Sequence, residues 1–343
     1  MTDAMIRSWA NLLLAGVYLA GLGLGALFFL AVQRVCGARW SESLRPVPEA
    51  LTSLLPAASA LVLIAVLLRP LLAPWAFAQE NEFTAIWMTY PFLVVRTLVY
   101  LGAWLLFSRV MVRGVGSPSS RTGTSDLRET RVAATFLVVF APTVWLASND
   151  WLMSLTPHWD STVFGVYVFC GFVCSALAAT LLGCVWMRVR LPERQTVSTD
   201  QLRDIAAWLL GFSSLWMYLW YCQYMLIWYT NQPHETTYFV ARLNDGWATA
   251  FYATVLLKWL VPFVLLLSRA GRSHAAVLAV AGTSVMIGHW LDLYVTIVPA
   301  LAPLQPMPGV LEAVAVIALA AALTWLGRSG GSARRRIEKV AIQ

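Results

Sequence analysis

Nine apolar segments, each about as long as a bilayer is thick, constrain this chain more than any other feature. A hydrocarbon core of about 30 Å takes roughly 20 residues of α-helix, and only helices or closed barrels satisfy their own backbone there. The segments run from about Trp9 to Gln33, Ala50 to Leu68, Phe92 to Ser108, Val132 to Leu146, Val163 to Met187, Ile205 to Tyr229, Trp247 to Leu267, Ala275 to Val298 and Val310 to Leu326. The fourth is short, and Ala147 to Trp151 extend it. The expected fold is all-α: one polytopic transmembrane bundle of about nine helices over residues 9–327, followed by a basic tail, 328–343. Only 12% of the residues are charged, against about 25% in soluble domains. The first apolar run is followed by no small-residue cleavage site and reads as a retained helix, not a signal peptide.

The cations then orient the bundle. Lys and Arg cluster after the odd-numbered segments: Arg34, Arg39 and Arg45; Arg109, Arg113, Arg121, Arg128 and Arg131; Arg188, Arg190, Arg194 and Arg203; Arg269 and Arg272; Arg328, Arg334, Arg335, Arg336 and Lys339. The opposite side has Arg7, Arg69 and Arg242, and Arg96 and Lys258 lie inside segments. Positive charge is retained on the cytoplasmic side, so the N-terminus is expected outside and the C-terminus in the cytoplasm. This asymmetry accounts for the net charge of +7 without nucleic acid. The inner connections, such as Gly114 to Thr130, read as solvated linkers, whereas the outer ones are aromatic and acidic: Trp75–Tyr90, Leu155–Ser161, Thr230–Asp245 and Pro299–Pro308.

Ionisable groups inside such segments are expensive and default to functional hypotheses. Arg96 is expected about 8 Å below the outer surface at 1.5 Å per residue. Asp150 closes the fourth segment and opens a polar turn containing His158 and Asp160. Gln223 and Tyr224 occupy the outer third of the sixth segment, whose exit carries His234 and Glu235; His289 and Asp292 lie in the outer half of the eighth, and Lys258 near the middle of the seventh. Two readings compete. Arg96 with Asp150 or with Asp292 makes a structural ion pair that lowers the insertion cost; or Asp150, His158, Glu235, His289, Asp292 and Arg96 form an outer-side chain that accepts or conducts protons, since His titrates near neutrality and burial tunes carboxylates. His158 could equally cap local backbone.

Other chemistry is weakly signalled. The cysteines, Cys36, Cys170, Cys174, Cys184 and Cys222, form no C-x-x-C pair and read as small hydrophobes. No histidine pair stands at i,i+4 and no C-x-x-C-H occurs, so neither a metal nor a haem ligand set is expected. Gly16, Gly21, Gly23 and Gly25 have the spacing of close helix packing, not of a phosphate loop. The run Ser213–Tyr229, with Trp216, Tyr218, Trp220, Tyr221, Tyr224, Trp228 and Tyr229, is either an interfacial belt plus core or a wall beside a flat lipid-soluble ligand such as a quinone.

Several long motifs resemble one family. They are Leu27-Phe28-Phe29 leading to Trp40-Ser41 and Arg45-Pro46-Val47-Pro48-Glu49; Pro91-Phe92-Leu93-Val94-Val95-Arg96; Ser148-Asn149-Asp150-Trp151-Leu152-Met153-Ser154-Leu155; and Pro157-His158-Trp159 through Ser161-Thr162 to Gly165-Val166-Tyr167. Gln223-Tyr224-Met225-Leu226-Ile227-Trp228-Tyr229, Asn231, Pro233, Glu235-Thr236, Pro262-Phe263, Leu266, Ser268-Arg269 and Gly288-His289-Trp290-Leu291-Asp292-Leu293-Tyr294 continue the series. In this order, over residues 27–294, they are similar to the ActF-type membrane subunit of alternative complex III. The resemblance implies an NrfD-like bundle in a quinol:electron-acceptor oxidoreductase of the bacterial cytoplasmic membrane. Its partners would be a sister NrfD-like subunit that binds quinol, and outer iron–sulfur and multihaem cytochrome c subunits that carry the clusters and haem. This chain would be a structural partner with a proton path and no covalent or metal-bound cofactor of its own.

Two alternatives stand beside that reading. The chain itself binds quinone or quinol, with His158, Asp150 or Asp292 accepting protons; or it is a secondary transporter, although no matching pair of Gly/Pro-broken helices is visible in two sequence halves. The sequence also departs from the family in three places. The family's additional N-terminal helix has no counterpart before residue 9, His234 stands where a Glu is usual, and Lys258 stands where a neutral residue is usual.

Overall fold

The computed structural model describes residues 3–38, 40–73, 82–113, 123–156, 159–190, 197–244 and 246–301. The described residues are helical with no strand. Eight helices or helix runs are long and apolar enough to cross a membrane, as a multi-pass membrane protein requires. They are α1 (Asp3–Val35), α2 with α3 (Pro46–Thr52, Leu55–Leu72), α5 (Tyr90–Arg113), α6 (Gly123–Trp151), α7 (Phe164–Arg190), α8 (Thr199–Thr230), α10 with α11 (Trp247–Val255, Val261–Leu267) and α12 (Ala275–Ile297). Two short helices, α4 (Glu82–Trp87) and α9 (Pro233–Leu243), lie in connections expected to be loops. The expected ninth segment, the basic tail and His158 fall outside the described residues.

Several boundaries differ from the hydropathy reading because local chemistry extends the helices beyond their apolar stretches. Ser198 accepts a hydrogen bond from the Gln201 backbone while the Gln201 side chain accepts from the Ser198 backbone. This reciprocal cap starts α8 six residues before the apolar run. At its other end Asn231 adopts φ 45°, the left-handed stop tolerated by asparagine. The stretch 123–130, expected as part of a linker, forms the polar first turns of α6. Pro46 and Pro233 stand in the first turns of α2 and α9, where a missing N–H costs nothing.

The eight spans form two four-helix rings. In the first, α1, α3, α5 and α6 pack each against the next; in the second, α7, α8, α10–α11 and α12 do the same. The rings meet along α1 and α7, whose apolar windows are 78% and 83% buried against 28% for α8. Close approach explains the seam. A Cβ on Gly21 would lie 2.5 Å from the Phe172 ring, and one on Gly25 would strike the Phe172 carbonyl and the Ala176 methyl. One end of the bundle gathers arginines, as in the pairs Arg34–Glu129 and Arg203–Asp200; we call it the basic end. The other, where α6, α9 and α12 terminate, is the aromatic end.

The seventh span holds an irregularity not visible in its hydropathy. Residues Leu256–Leu260 form a π-helical turn between α10 and α11. In a regular helix Pro262 would bond to the Lys258 carbonyl, but proline has no N–H to donate. The Ser213 hydroxyl of α8 donates to that carbonyl instead, at 2.5 Å. The Val261 N–H reaches back to Leu256, which frees the Leu257 carbonyl, and Ser284 of α12 donates to it at 2.6 Å. Two serines thus satisfy the backbone around the one turn that carries a buried lysine.

Candidate functional site

Each ring encloses one buried cation–carboxylate group. In the first ring Asp150, 1% exposed, sits in the last turn of α6. Arg96 of α5 grips both of its oxygens, Nε to Oδ2 at 3.0 Å and Nη2 to Oδ1 at 2.9 Å. Trp87 Nε1 donates to Oδ1 at 2.9 Å, and the Tyr100 hydroxyl to Oδ2 at 3.1 Å. The guanidinium completes its own set with the Trp87 carbonyl at 2.7 Å and lies over the Trp87 and Phe92 rings. Four donors on two carboxylate oxygens hold it in one orientation. Arg69 of α3 then donates to the Asp150 carbonyl at 2.6 Å and to Ser154 Oγ at 2.7 Å. Its charge faces the negative end of α6.

In the second ring Lys258, with no exposed surface, donates to Asp292 Oδ2 at 2.6 Å. The Tyr167 hydroxyl of α7 donates to the other oxygen. Lys258 Nζ also lies 3.1 Å from His289 Nδ1 and 4.2 Å from the centre of the Trp216 ring. An ammonium only donates, so His289 Nδ1 accepts and the imidazole carries its proton on Nε2. That Nε2 is buried and meets no partner among the described residues. The ring stacks on Tyr18 with centroids 5.5 Å apart. Asp292 therefore has two donors where Asp150 has four, and its group contains a neutral histidine.

An arginine caps this ring too. Arg242, in the last turn of α9, donates to the Val295, Thr296 and Tyr238 carbonyls at 3.0, 2.8 and 2.7 Å. Its guanidinium lies 3.4 Å from the centre of the Tyr238 ring. Burial lowers its affinity for a proton and raises that of the Tyr238 hydroxyl. Arg69 and Arg242, expected as outer loop charges, are instead fully buried guanidiniums on the carbonyl ends of α6 and α12. In both rings the third span carries the cation and the fourth the aspartate, and an arginine caps the fourth, from the last turn of the second span in the first ring and from the short helix after it in the second.

Beneath α9 a small cavity is lined by residues including Tyr167, Gln223, Tyr238, Arg242, Asp292 and Thr296. About 20 Å³ is open to water centres, room for one or two water molecules.

The candidates picked from sequence divide accordingly. Arg96 pairs with Asp150 and not with Asp292, resolving one ambiguity. His289 and Asp292 meet Lys258, which depth alone had set apart from them. Among the described residues, the candidates of the expected outer-side chain fall into one group with Arg96 and Asp150 and another with Lys258, His289 and Asp292. Gln223 lines the cavity, whereas Tyr224 stacks on Trp220 and packs its ring edge-on to Phe239. Glu235 accepts from Thr230 Oγ1 at 3.2 Å at the start of α9, outside both groups, and Asp160 is exposed. His234 lies in α9, with its side chain, like His158, outside what is described. Sequence reading missed Tyr100, Trp87 and Tyr167 as carboxylate partners. The Pro262 that opens the backbone beside Lys258 was the available signal for the π turn.

The aromatic run of α8 serves two faces. Trp216 is buried and Trp220 packs on the core, whereas Tyr218, Tyr221, Trp228 and Tyr229 are exposed. Cys170, Cys174 and Cys184 are buried. Among the described residues no three His, Cys, Asp or Glu side chains are grouped as a metal site would need. Compared with protein families and with curated proteins, the chain finds no match.

Proposed function

We propose that this chain is an ActF-type, NrfD-like membrane subunit of a quinol-oxidising electron-transfer complex, and that the Lys258–Asp292–His289 group is its proton-handling element. The motifs that carry the resemblance support the first part. Pro91–Arg96, Ser148–Leu155 and Gly288–Tyr294, separate in sequence, supply the acids, the histidine and one cation of the two buried groups. Their unusual residue types are therefore spent on interior polar chemistry and not on lipid contact.

One observation carries the second part: Asp292 faces a cavity that Asp150 does not line. A carboxylate with two donors, beside a lysine and a histidine, and open to a water-sized cavity, has the groups that proton transfer requires. The cavity is sized for water and does not fit a quinone ring, which favours the sister subunit as the quinol site. Quinol binding by this chain and the transporter reading gain no comparable support. The cation distribution favours a basic end in the cytoplasm and an aromatic end outside, in a bacterial cytoplasmic membrane, facing iron–sulfur and haem-bearing partners.

Affinity purification of the tagged chain from its native membrane tests the assignment. A complex containing a second polytopic subunit, a multihaem c-type cytochrome and an iron–sulfur protein, with quinol:acceptor activity, is expected. Recovery of the chain without those partners from membranes where it is abundant would overturn it. A reporter fused after Gln343 is expected to be cytoplasmic, and activity on the other side would reverse the orientation.

A further inference from the structure

We propose that the cavity beneath α9 is a water-filled vestibule through which the Lys258–Asp292 pair is reached from the aromatic end of the bundle alone. Two features hydrate it. Gln223 is 7% exposed, and its Nε2 has no hydrogen-bond partner among the described residues. A buried amide without a partner costs about 1–3 kcal/mol. A water accepting from it removes that cost. Asp292 lines the same space, and each of its oxygens keeps a lone pair after the bonds from Lys258 and Tyr167, so such a water has an acceptor for its own proton. A cavity of this size with several polar groups converging on it has partners for a water, whereas a wholly apolar one stays dry.

The access is one-sided because packing closes the other direction. Where α7 and α12 pass Lys258, both present glycine. A Cβ on Gly171 would lie 3.2 Å from Lys258 Nζ and 2.9 Å from His289 Cε1; one on Gly288 would lie 2.8 Å from the Lys258 backbone nitrogen. The helix backbones are thus in contact with the lysine, and Ser284 and Ser213 bind the carbonyls of its turn from either side. Towards the aromatic end the polar lining residues Gln223, Thr254, Thr296, Tyr238 and Arg242 stand among apolar ones such as Phe251 and Val295, under the short helix α9. Arg242 and Tyr238 form the neck. The guanidinium holds α9 to the end of α12, and its fixed positive charge admits water while repelling small cations.

Cysteine accessibility tests this without reference to turnover. In a Cys36→Ser, Cys222→Ser background, which leaves only the buried Cys170, Cys174 and Cys184, Gln223→Cys and Thr254→Cys are each exposed to a small, membrane-impermeant, anionic thiosulfonate in vesicles of either orientation. Gln232→Cys, on the surface at the aromatic end, marks the sidedness; Ser284→Cys, packed on the closed side, is the comparison. Both vestibule cysteines are expected to react only from the side that labels Gln232→Cys, at least tenfold faster than Ser284→Cys. Arg242→Gln is expected to raise the rate with a cationic reagent by a further tenfold. Reaction from the opposite side, or both vestibule positions as inert as Ser284→Cys in folded protein, would overturn the proposal. Its meaning for proton exchange rests on the function proposed above. The labelling does not: partner loss with one-sided labelling would defeat that function alone, and inert cysteines within an intact quinol-oxidising complex would defeat the vestibule alone.

Discussion

The two rings solve the same problem, an aspartate inside a membrane bundle, with different degrees of completion. Asp150 receives four donors, two of them from one guanidinium whose geometry matches a carboxylate. Asp292 receives two, one from a lysine that acts as a point charge and also contacts a histidine. Arginine and lysine are not interchangeable here: the planar fork fixes its partner, whereas the ammonium leaves room for other contacts. The first ring therefore looks built for rigidity. Both rings hold buried polar atoms without a partner among the described residues, at Asn11 and Asn149 in the first and at His289 Nε2 and Gln223 Nε2 in the second; what sets the second apart is an irregular helical turn and space for water beside its aspartate, features that collect at functional positions.

The largest expected effect breaks the first group. Asp150→Ala strands Arg96 and should cost about 3–5 kcal/mol, read as loss of folded protein in a detergent unfolding titration. The double variant Arg96→Met with Asp150→Leu should recover most of that loss, because neither member of the pair is left buried without the other. If Asp150→Ala unfolds like the parent, the first group is not structural.

Asp292→Asn should separate the rings. Water in the adjacent cavity can solvate the stranded lysine, so the stability loss is expected below that of Asp150→Ala, at about 3 kcal/mol or less. Proton release per quinol in the intact complex should fall, with assembly preserved. Equal loss of stability at both aspartates, with unchanged proton release at Asp292→Asn, would remove the distinction between the groups.

A smaller effect probes the lysine's turn. Ser213→Ala leaves the Lys258 carbonyl without a donor and should cost about 1–2 kcal/mol. In a Pro262→Ala background the restored N–H can reach that carbonyl, so the same substitution should cost less; a double-mutant cycle measures the difference. The smallest effects belong to the acids outside both rings. Glu235→Gln and Asp160→Asn should stay within about 0.5 kcal/mol and leave proton release unchanged.

Much of this was readable along the chain because the bilayer imposes length. Eight spans appear at the expected places, with ends shifted by caps such as Ser198 and Gln201 whose polar residues hydropathy averages away. Asp150, Arg96, His289 and Asp292 stood out because an ionisable residue among apolar ones is conspicuous whatever it touches. Arg69 and Arg242 did not. Each sits at a segment edge, where charge counting assigns it to solvent, and only packing shows it turned inward onto helix carbonyls. Tyr100, Trp87 and Tyr167 were equally hidden, since aromatic residues are common in such segments and their hydroxyl and indole partners lie on other helices.

The sequence by itself determined that this chain is a bundle of membrane-length helices with a basic end, and which few residues are too costly to be incidental. Those conclusions need only one-dimensional quantities: segment length, polarity and the order of charges. The tertiary structure decided which cation meets which aspartate, that a lysine and not a second arginine completes the inner group, and that water-sized space exists at one aspartate. Such facts depend on helix rotation. A turn of 100° per residue moves a side chain from one neighbour to another without altering the length or hydropathy of its segment, so only the packed helices fix them.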